Sequence, residues 1–356
     1  MISDTSWQPI RALRATPTGL AATDPDRRAT FVAALRQAEE LAEAARVGGY
    51  AARPLSLFYC LSQAGRAIAA AHLPGQWHLR GHGLSVNVVQ GSLLRTTIKP
   101  AGQGNDSFRG VASAIGSPSL TGSVSLGALW AANPDLRATP VPQTAGRWPK
   151  ALEISLGTQS IRGFGGNEDP TQHMLTTDGT VTFPVDLPGS TGAEIAEALK
   201  SYPTLSDAFG WKQGPRGYEA AGSKEAVIRI LDHAGVARVA IGKEAPREMP
   251  MAQYWERQRT FASIVEIDER YPRYPDPNLV GFALPQIADA PSPHPLMLWW
   301  ALLLGLSSLA RYEPASWTSA IDLDTSPAAV SLERVLDVAT ERLPHRVHEA
   351  LRATRP

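Results

Sequence analysis

Residues 54–73 read PLSLFYCLSQAGRAIAAAHL, and residues 295–311 read PLMLWWALLLGLSSLAR. Each begins with a proline, whose fixed φ and missing N–H suit the first helical position. In the first run Leu55, Phe58, Leu61, Ser62, Gly65, Ile68 and Ala69 recur at helical spacing, and the small residues at 62, 65 and 69 allow another helix to come close. The second run is apolar on every face between Leu296 and Leu306. That is far short of the roughly 20 residues that span a bilayer, so it predicts a helix buried in a protein core. The two runs lie near opposite ends of the chain, and packing them together predicts one helical core built from the N- and C-terminal segments.

Outward from the first run, Asp24 followed by Pro25 predicts an N-cap and a helix to Val47, with Phe31, Leu35, Ala38, Ala42 and Ala45 inward and Gly48-Gly49 as the stop. Outward from the second, Pro314 forbids continuation, and Trp317 is expected to fold back over the helix end. Ser331 to Leu343 predicts an amphipathic helix, with Pro344 restarting a short terminal one. Trp299, Trp300 and Trp317, set among leucines, read as core.

Between about residues 84 and 250 the period shifts from three-to-four towards two, which predicts strands. Leu84–Val88 and Leu93–Ile98 flank Gly91 as a hairpin; Met174–Thr177 and Thr180–Phe183 flank Asp178-Gly179 as another; Ala226–Leu231 and Val236–Ile241 form a third. Short helices are expected at 126–132 and 193–200, and one from Tyr254 to Glu266 before a proline-rich crossing at 271–277. Segments 100–107, 138–149 and 211–224 read as surface loops. The expected fold class is α+β, with a helical N-terminal segment 1–83, a β-rich antiparallel middle 84–250, and a C-terminal helical segment 251–356 packing on the first.

Composition narrows the function classes. Hydrophobic residues at 43% with charged residues at 19% exclude an intrinsically disordered chain. Lys+Arg 34 against Asp+Glu 34 gives zero net charge, so no global field draws the chain to nucleic acid or an anionic membrane, and any nucleic-acid site would be a local patch. A single cysteine, Cys60, excludes an intrachain disulfide and a cysteine-built zinc site. It lies in an apolar helix, where its thiol is expected to be unreactive. The first twenty residues carry no apolar leader, and a cytoplasmic protein is expected.

Two stretches carry a resemblance. The first runs from Arg53 to Ala67, with Pro54, Leu55, Phe58 and Tyr59, and continues at Gly81-His82-Gly83-Leu84-Ser85; the second runs from Leu306 to Trp317 and contains Leu309-Ala310-Arg311-Tyr312-Glu313-Pro314. They are similar to the helix, the His-Gly-Leu-Ser turn and the Leu-Ala-Arg-Tyr helix end of the YaaC-like proteins, and 108–116 and 126–136 resemble the family's intervening segments. The middle, about 140–250, does not. The resemblance implies a bacterial family without an assigned reaction and carries over no catalytic residues.

The chemistry is therefore read from the residues. Arg66 and His72 sit six apart, a spacing that resembles the Arg–His pair of HEPN-like ribonucleases, in which arginine neutralises phosphate and histidine moves a proton of the RNA 2′-hydroxyl. Six residues on a regular helix turn 600°, however, which places the two side chains on different faces unless the helix ends before His72. The densest polar cluster is Trp77-His78-Leu79-Arg80-Gly81-His82-Gly83, with Ser85 just beyond. Its glycines either let a ligand approach the backbone or simply make a turn in which the His82 ring bonds to backbone carbonyls. His78 and His82 lack a nearby carboxylate, so no metal is expected, and no cofactor either. Gly163-Phe164-Gly165-Gly166 lacks the strand and helix of a phosphate loop, and no Gly-x-Ser-x-Gly elbow occurs.

Two functions remain. One is a non-catalytic protein holding a ligand or partner at the His82 turn through His78, Arg80, Ser85 and Arg109, helped by Arg95 and Lys99. The other is a metal-independent HEPN-like ribonuclease of a toxin or phage-defence kind, with Arg66 and either His72 or His82 in the reaction, assembled as a homodimer. RNA or another protein is the expected partner, and no membrane.

Overall fold

The computed structural model of the chain describes residues 5–352 apart from 90, 103, 140, 143–147, 162–173, 183–199, 203–209, 215–216, 222–226, 234–235 and 243–278, with the backbone alone in the strands between 152 and 283. The expected helix at 193–200, apart from Lys200, which is in a turn, the expected helix at 254–266, the crossing at 271–277 and Gly163-Phe164-Gly165-Gly166 lie outside the described residues. The chain forms two compact units, residues 1–150 with 287–356, and residues 151–286.

The first unit is mainly helical. Its helices are α1 (Gln8–Ala15), α2 (Pro25–Val47), α3 (Arg53–His72), α4 (Ser107–Ala114), α5 (Leu126–Ala132), α6 (Pro295–Tyr312), α7 (Pro314–Ala320) and α8 (Ala329–Arg352). Asp24 caps α2 as the sequence predicts, its carboxylate accepting from the Asp26 and Arg27 N–H groups. Buried Arg27 then reaches across to the end of α3 and donates to the carbonyls of Ala70, Leu73 and Gly75, groups that a helix C-terminus leaves unpaired. The small-residue stripe of α3 works as its spacing implies. A Cβ on Gly65 would lie 2.5 Å from the Trp300 ring, so glycine is what lets α3 and α6 meet. Fourteen of the residues of α6 are buried, from Pro295 to Leu309, and Trp299, Trp300 and Trp317 are no more than 1% exposed. No helix among the described residues is long and apolar enough to cross a membrane.

A small antiparallel sheet, order β1-β2-β3, lies in this unit: β1 (Leu84–Asn87), β2 (Thr97–Pro100) and β3 (Val124–Ser125). The hairpin expected around Gly91 pairs Leu84 with Pro100 and Asn87 with Thr97; residues 93–95 are a 3-10 turn rather than the start of the second strand. Pro344 differs too. It lies buried inside one continuous α8, because Leu343, Pro344 and Val347 share the packed face, and their burial outweighs the one backbone bond that proline removes.

The second unit holds an antiparallel sheet of order β10-β4-β5-β9-β8-β7-β6, with β4 Leu152–Ile161, β5 Met174–Thr182, β6 Gly210–Gly214, β7 Gly217–Ala221, β8 Val227–His233, β9 Val236–Gly242 and β10 Leu279–Ala283. The β8–β9 hairpin is the one the sequence predicts. Asp178-Gly179 is not a turn. It runs through the interior of β5, where nine consecutive residues pair with β4 on one side and five with β9 on the other, and two flanking partners outweigh a two-residue turn preference. The expected loop at 211–224 contains β6 and β7; at the sheet edge, where one side of the strand is unpaired, Gly, Gln and Lys are common. The α+β class, with helices from both ends and an antiparallel β-rich middle, is the fold observed.

Candidate functional site

The His82 turn is built by backbone bonds to the segment before α4. Arg80 N–H donates to the Asn105 carbonyl, Ser107 N–H to that of Gly81, Phe108 N–H to that of His82, and Ala101 N–H to that of Gly83. Gly81 and Gly83 have φ of 71° and 78°. At Gly83 a Cβ would fall 1.7 Å from the Asp106 carboxylate, so both conformation and space require glycine. Asp106 itself caps α4, accepting from Arg109 N–H at 2.9 Å, and binds Arg109 Nε at 2.7 Å. The glycines are thus a turn, held against a helix N-terminus.

This turn places His82 beside α3. Its ring is exposed, yet its centroid is 5.2 Å from that of Phe58 in an edge contact, rather than bonded to backbone carbonyls. Tyr59, the next residue on α3, is 37% exposed and accepts from Arg311 Nη1 at 3.1 Å through its hydroxyl. Arg311 lies in the last turn of α6, with its guanidinium carbon 4.9 Å from the centre of the exposed Tyr312 ring. No carboxylate among the described residues pairs with Arg311. Partial burial, and secondarily the Arg311 charge, hold the His82 imidazole below its ordinary value, so it is neutral at pH 7. The result is a surface cluster of one neutral imidazole, one guanidinium that meets only neutral groups among the described residues, and two tyrosine rings. Arg66 adds to it by position: it is exposed and seven residues after Tyr59, which turns about 700° and brings it to the same face of α3.

The other sequence candidates fall elsewhere. His72 closes α3 and its Nε2 is 2.9 Å from the Leu351 carbonyl of α8, half-buried, so the helix runs through to it and Arg66 and His72 do not meet. Arg109 is committed to structure, binding Asp106 and the carbonyls of Ala101 and Gly102. His78 stacks on Trp77 at 3.8 Å, and Arg80 is exposed. Ser85 stands in β1 opposite Lys99, which is exposed, as is Arg95 on the connecting turn. Burial pushes the Cys60 thiol up to about 12, which makes it inert.

Sequence reasoning named His82 but placed Arg311 and Tyr59 only within the stretches that carry the family resemblance. The available signal was the placement of all three within the stretches that resemble one family. A family model described as YaaC-like Protein matches residues 13–154 and 244–351. The chain belongs to the YaaC-like family. Tyr59, His82 and Arg311 all lie inside the matched segments, whereas 155–243, which holds most of the second unit's strands, lies outside them. No curated protein and no solved structure matches this YaaC-like chain.

Proposed function

We propose that this YaaC-like protein is a non-catalytic binding protein whose ligand carries phosphate and an aromatic base, held at the His82–Tyr59–Arg311 cluster. The observation that supports it is the convergence, at one exposed place, of an arginine with no acidic partner among the described residues, a histidine and two tyrosine rings. Arginine binds phosphate bidentately, and exposed aromatic faces stack on bases without regard to their identity. Arg66, two helical turns along α3, extends the cationic side of the patch. Zero net charge fits a contact confined to a few groups rather than a long electrostatic track.

The ribonuclease reading keeps one observation in its favour: a neutral imidazole beside a guanidinium is a combination that could abstract a 2′-hydroxyl proton next to a bound phosphate. It lacks a second histidine or an uncommitted carboxylate at the cluster among the described residues, since His72 is turned to Leu351 and the Asp106 carboxylate beside Gly83 is held by Arg109. A short fluorescent single-stranded RNA separates the two. The purified protein is expected to raise its anisotropy saturably and to leave it full-length on a denaturing gel. Cleavage that disappears in His82→Ala but persists in His72→Ala would replace the binding reading with the nuclease one.

A further inference from the structure

A second candidate site lies away from the His82 turn. A cavity of about 580 Å3 opens between the β1–β2 connection, helix α7 and the turn that leads into α8. Its inner wall is Leu94, Trp130, Leu309 and Leu332, none more than 5% exposed. Its outer wall carries the hydroxyls of Ser92, Ser316 and Ser319, which make no hydrogen bond among the described residues. The indole N–H of Trp130 is already given to the Thr139 carbonyl at 2.7 Å, so that residue offers the cavity only ring surface. None of the described residues lining the cavity is charged.

We infer that this cavity is a binding site for an uncharged, largely apolar small molecule with a few hydrogen-bonding groups. The size lies in the range of cavities that enclose small organic ligands, roughly 300 to 1,000 Å3. The apolar inner wall rewards removal of carbon surface from water. A charged ligand would lose its hydration with no counter-charge among the described lining residues to replace it, whereas hydroxyl or carbonyl groups at the ligand's outer edge meet three serine hydroxyls that no described residue engages. The site is separate in chemistry from the cluster at His82, which has cations and no enclosing wall, and the inference does not rest on that cluster's role.

The test uses two fluorophores with the same rings, neutral N-phenyl-1-naphthylamine and anionic 8-anilinonaphthalene-1-sulfonate, titrated into the full chain. The neutral probe is expected to bind saturably at one site per chain, about tenfold or more tighter than the sulfonate. Ala320→Phe, which fills the cavity from α7, and Ser319→Phe, which fills it from the rim, are expected to abolish that binding in protein that remains folded by circular dichroism. Arg311→Ala is expected to retain it. An absent or non-saturable signal from the neutral probe, a preference for the sulfonate, or parent-like binding in both phenylalanine variants would overturn the inference; loss of binding in Arg311→Ala would place the probe at the His82 cluster and overturn it as well.

Discussion

Helix α6 carries a polar cluster at each end, and the two are built from similar parts to opposite effect. Near its N-terminus the Trp299 indole donates to Asp135 Oδ2 at 2.8 Å, and Arg346 of α8 grips the same carboxylate through Nε at 3.0 Å and Nη2 at 2.6 Å. The Asp135 side chain is fully buried and that of Arg346 nearly so. Near the C-terminus Arg311 meets only the Tyr59 hydroxyl and the Tyr312 ring among the described residues, and lies in the open. In the first cluster every charge has a partner, as burial demands; in the second, water serves and the donors remain available to a ligand. Under the proposed binding function, the arginine that a carboxylate closes is structural and Arg311 is a binding group.

The largest effect is expected from breaking the closed cluster. Asp135→Asn takes the carboxylate charge away from the buried Arg346 guanidinium, and should cost about 3 to 5 kcal/mol in denaturant unfolding. The pH dependence has a definite sign. Burial alone would raise the Asp135 carboxyl, but the Arg346 charge and hydrogen bonds, with the Trp299 bond, hold it below its ordinary value. Its stabilisation is therefore complete above the ordinary carboxylate value and lost as pH falls through the depressed one, and Asp135→Asn should show none of that acid-side loss.

Trp317→Ala should be of similar size, about 3 to 5 kcal/mol, because the indole is buried and donates to the Ala51 carbonyl at 3.1 Å. RNA binding by the surviving folded fraction is expected to stay near the parent's. Gly83→Ala comes next, at roughly 1 to 3 kcal/mol from left-handed strain, with the Asp106 clash added. Because it displaces the His82 turn, its binding should weaken as well, which calorimetry and anisotropy on the same sample would show together. The smallest change is a titration. Arg311→Ala removes the smaller of the two causes that lower His82, so the histidine's NMR titration should move upward, while its partial burial keeps it from reaching the free value. The neutral form is the one the fold favours, so any stability linked to His82 is present above the ordinary histidine value and lost as pH falls through the depressed one.

The helices were readable because proline starts, an aspartate cap and helical apolar spacing all act locally: Pro25, Pro295 and Pro314 each open a helix, and Pro54 is the second residue of α3. What the sequence hid is long-range. Asp178-Gly179 is a turn in isolation and a strand interior only because β4 and β9 flank it. Pro344 is a break in isolation and tolerable only because its ring is buried. The same limit governs the site. Tyr59 and Arg311 are 252 positions apart, and no local pattern joins them, whereas the spacing of Arg66 and His72 suggested a pair that the turn of α3 separates. Arg109 was read as available because its two carbonyl partners and Asp106 come together only when the 101–106 segment closes on the His82 turn.

The comparison between the two ends of α6 rests most directly on Arg311→Ala, measured for both melting temperature and anisotropy of the single-stranded RNA. The account predicts melting within about 0.5 kcal/mol of the parent, as for an exposed side chain, and binding weakened about tenfold or more. A variant that melts well below the parent, or one that binds the RNA as the parent does, would contradict it.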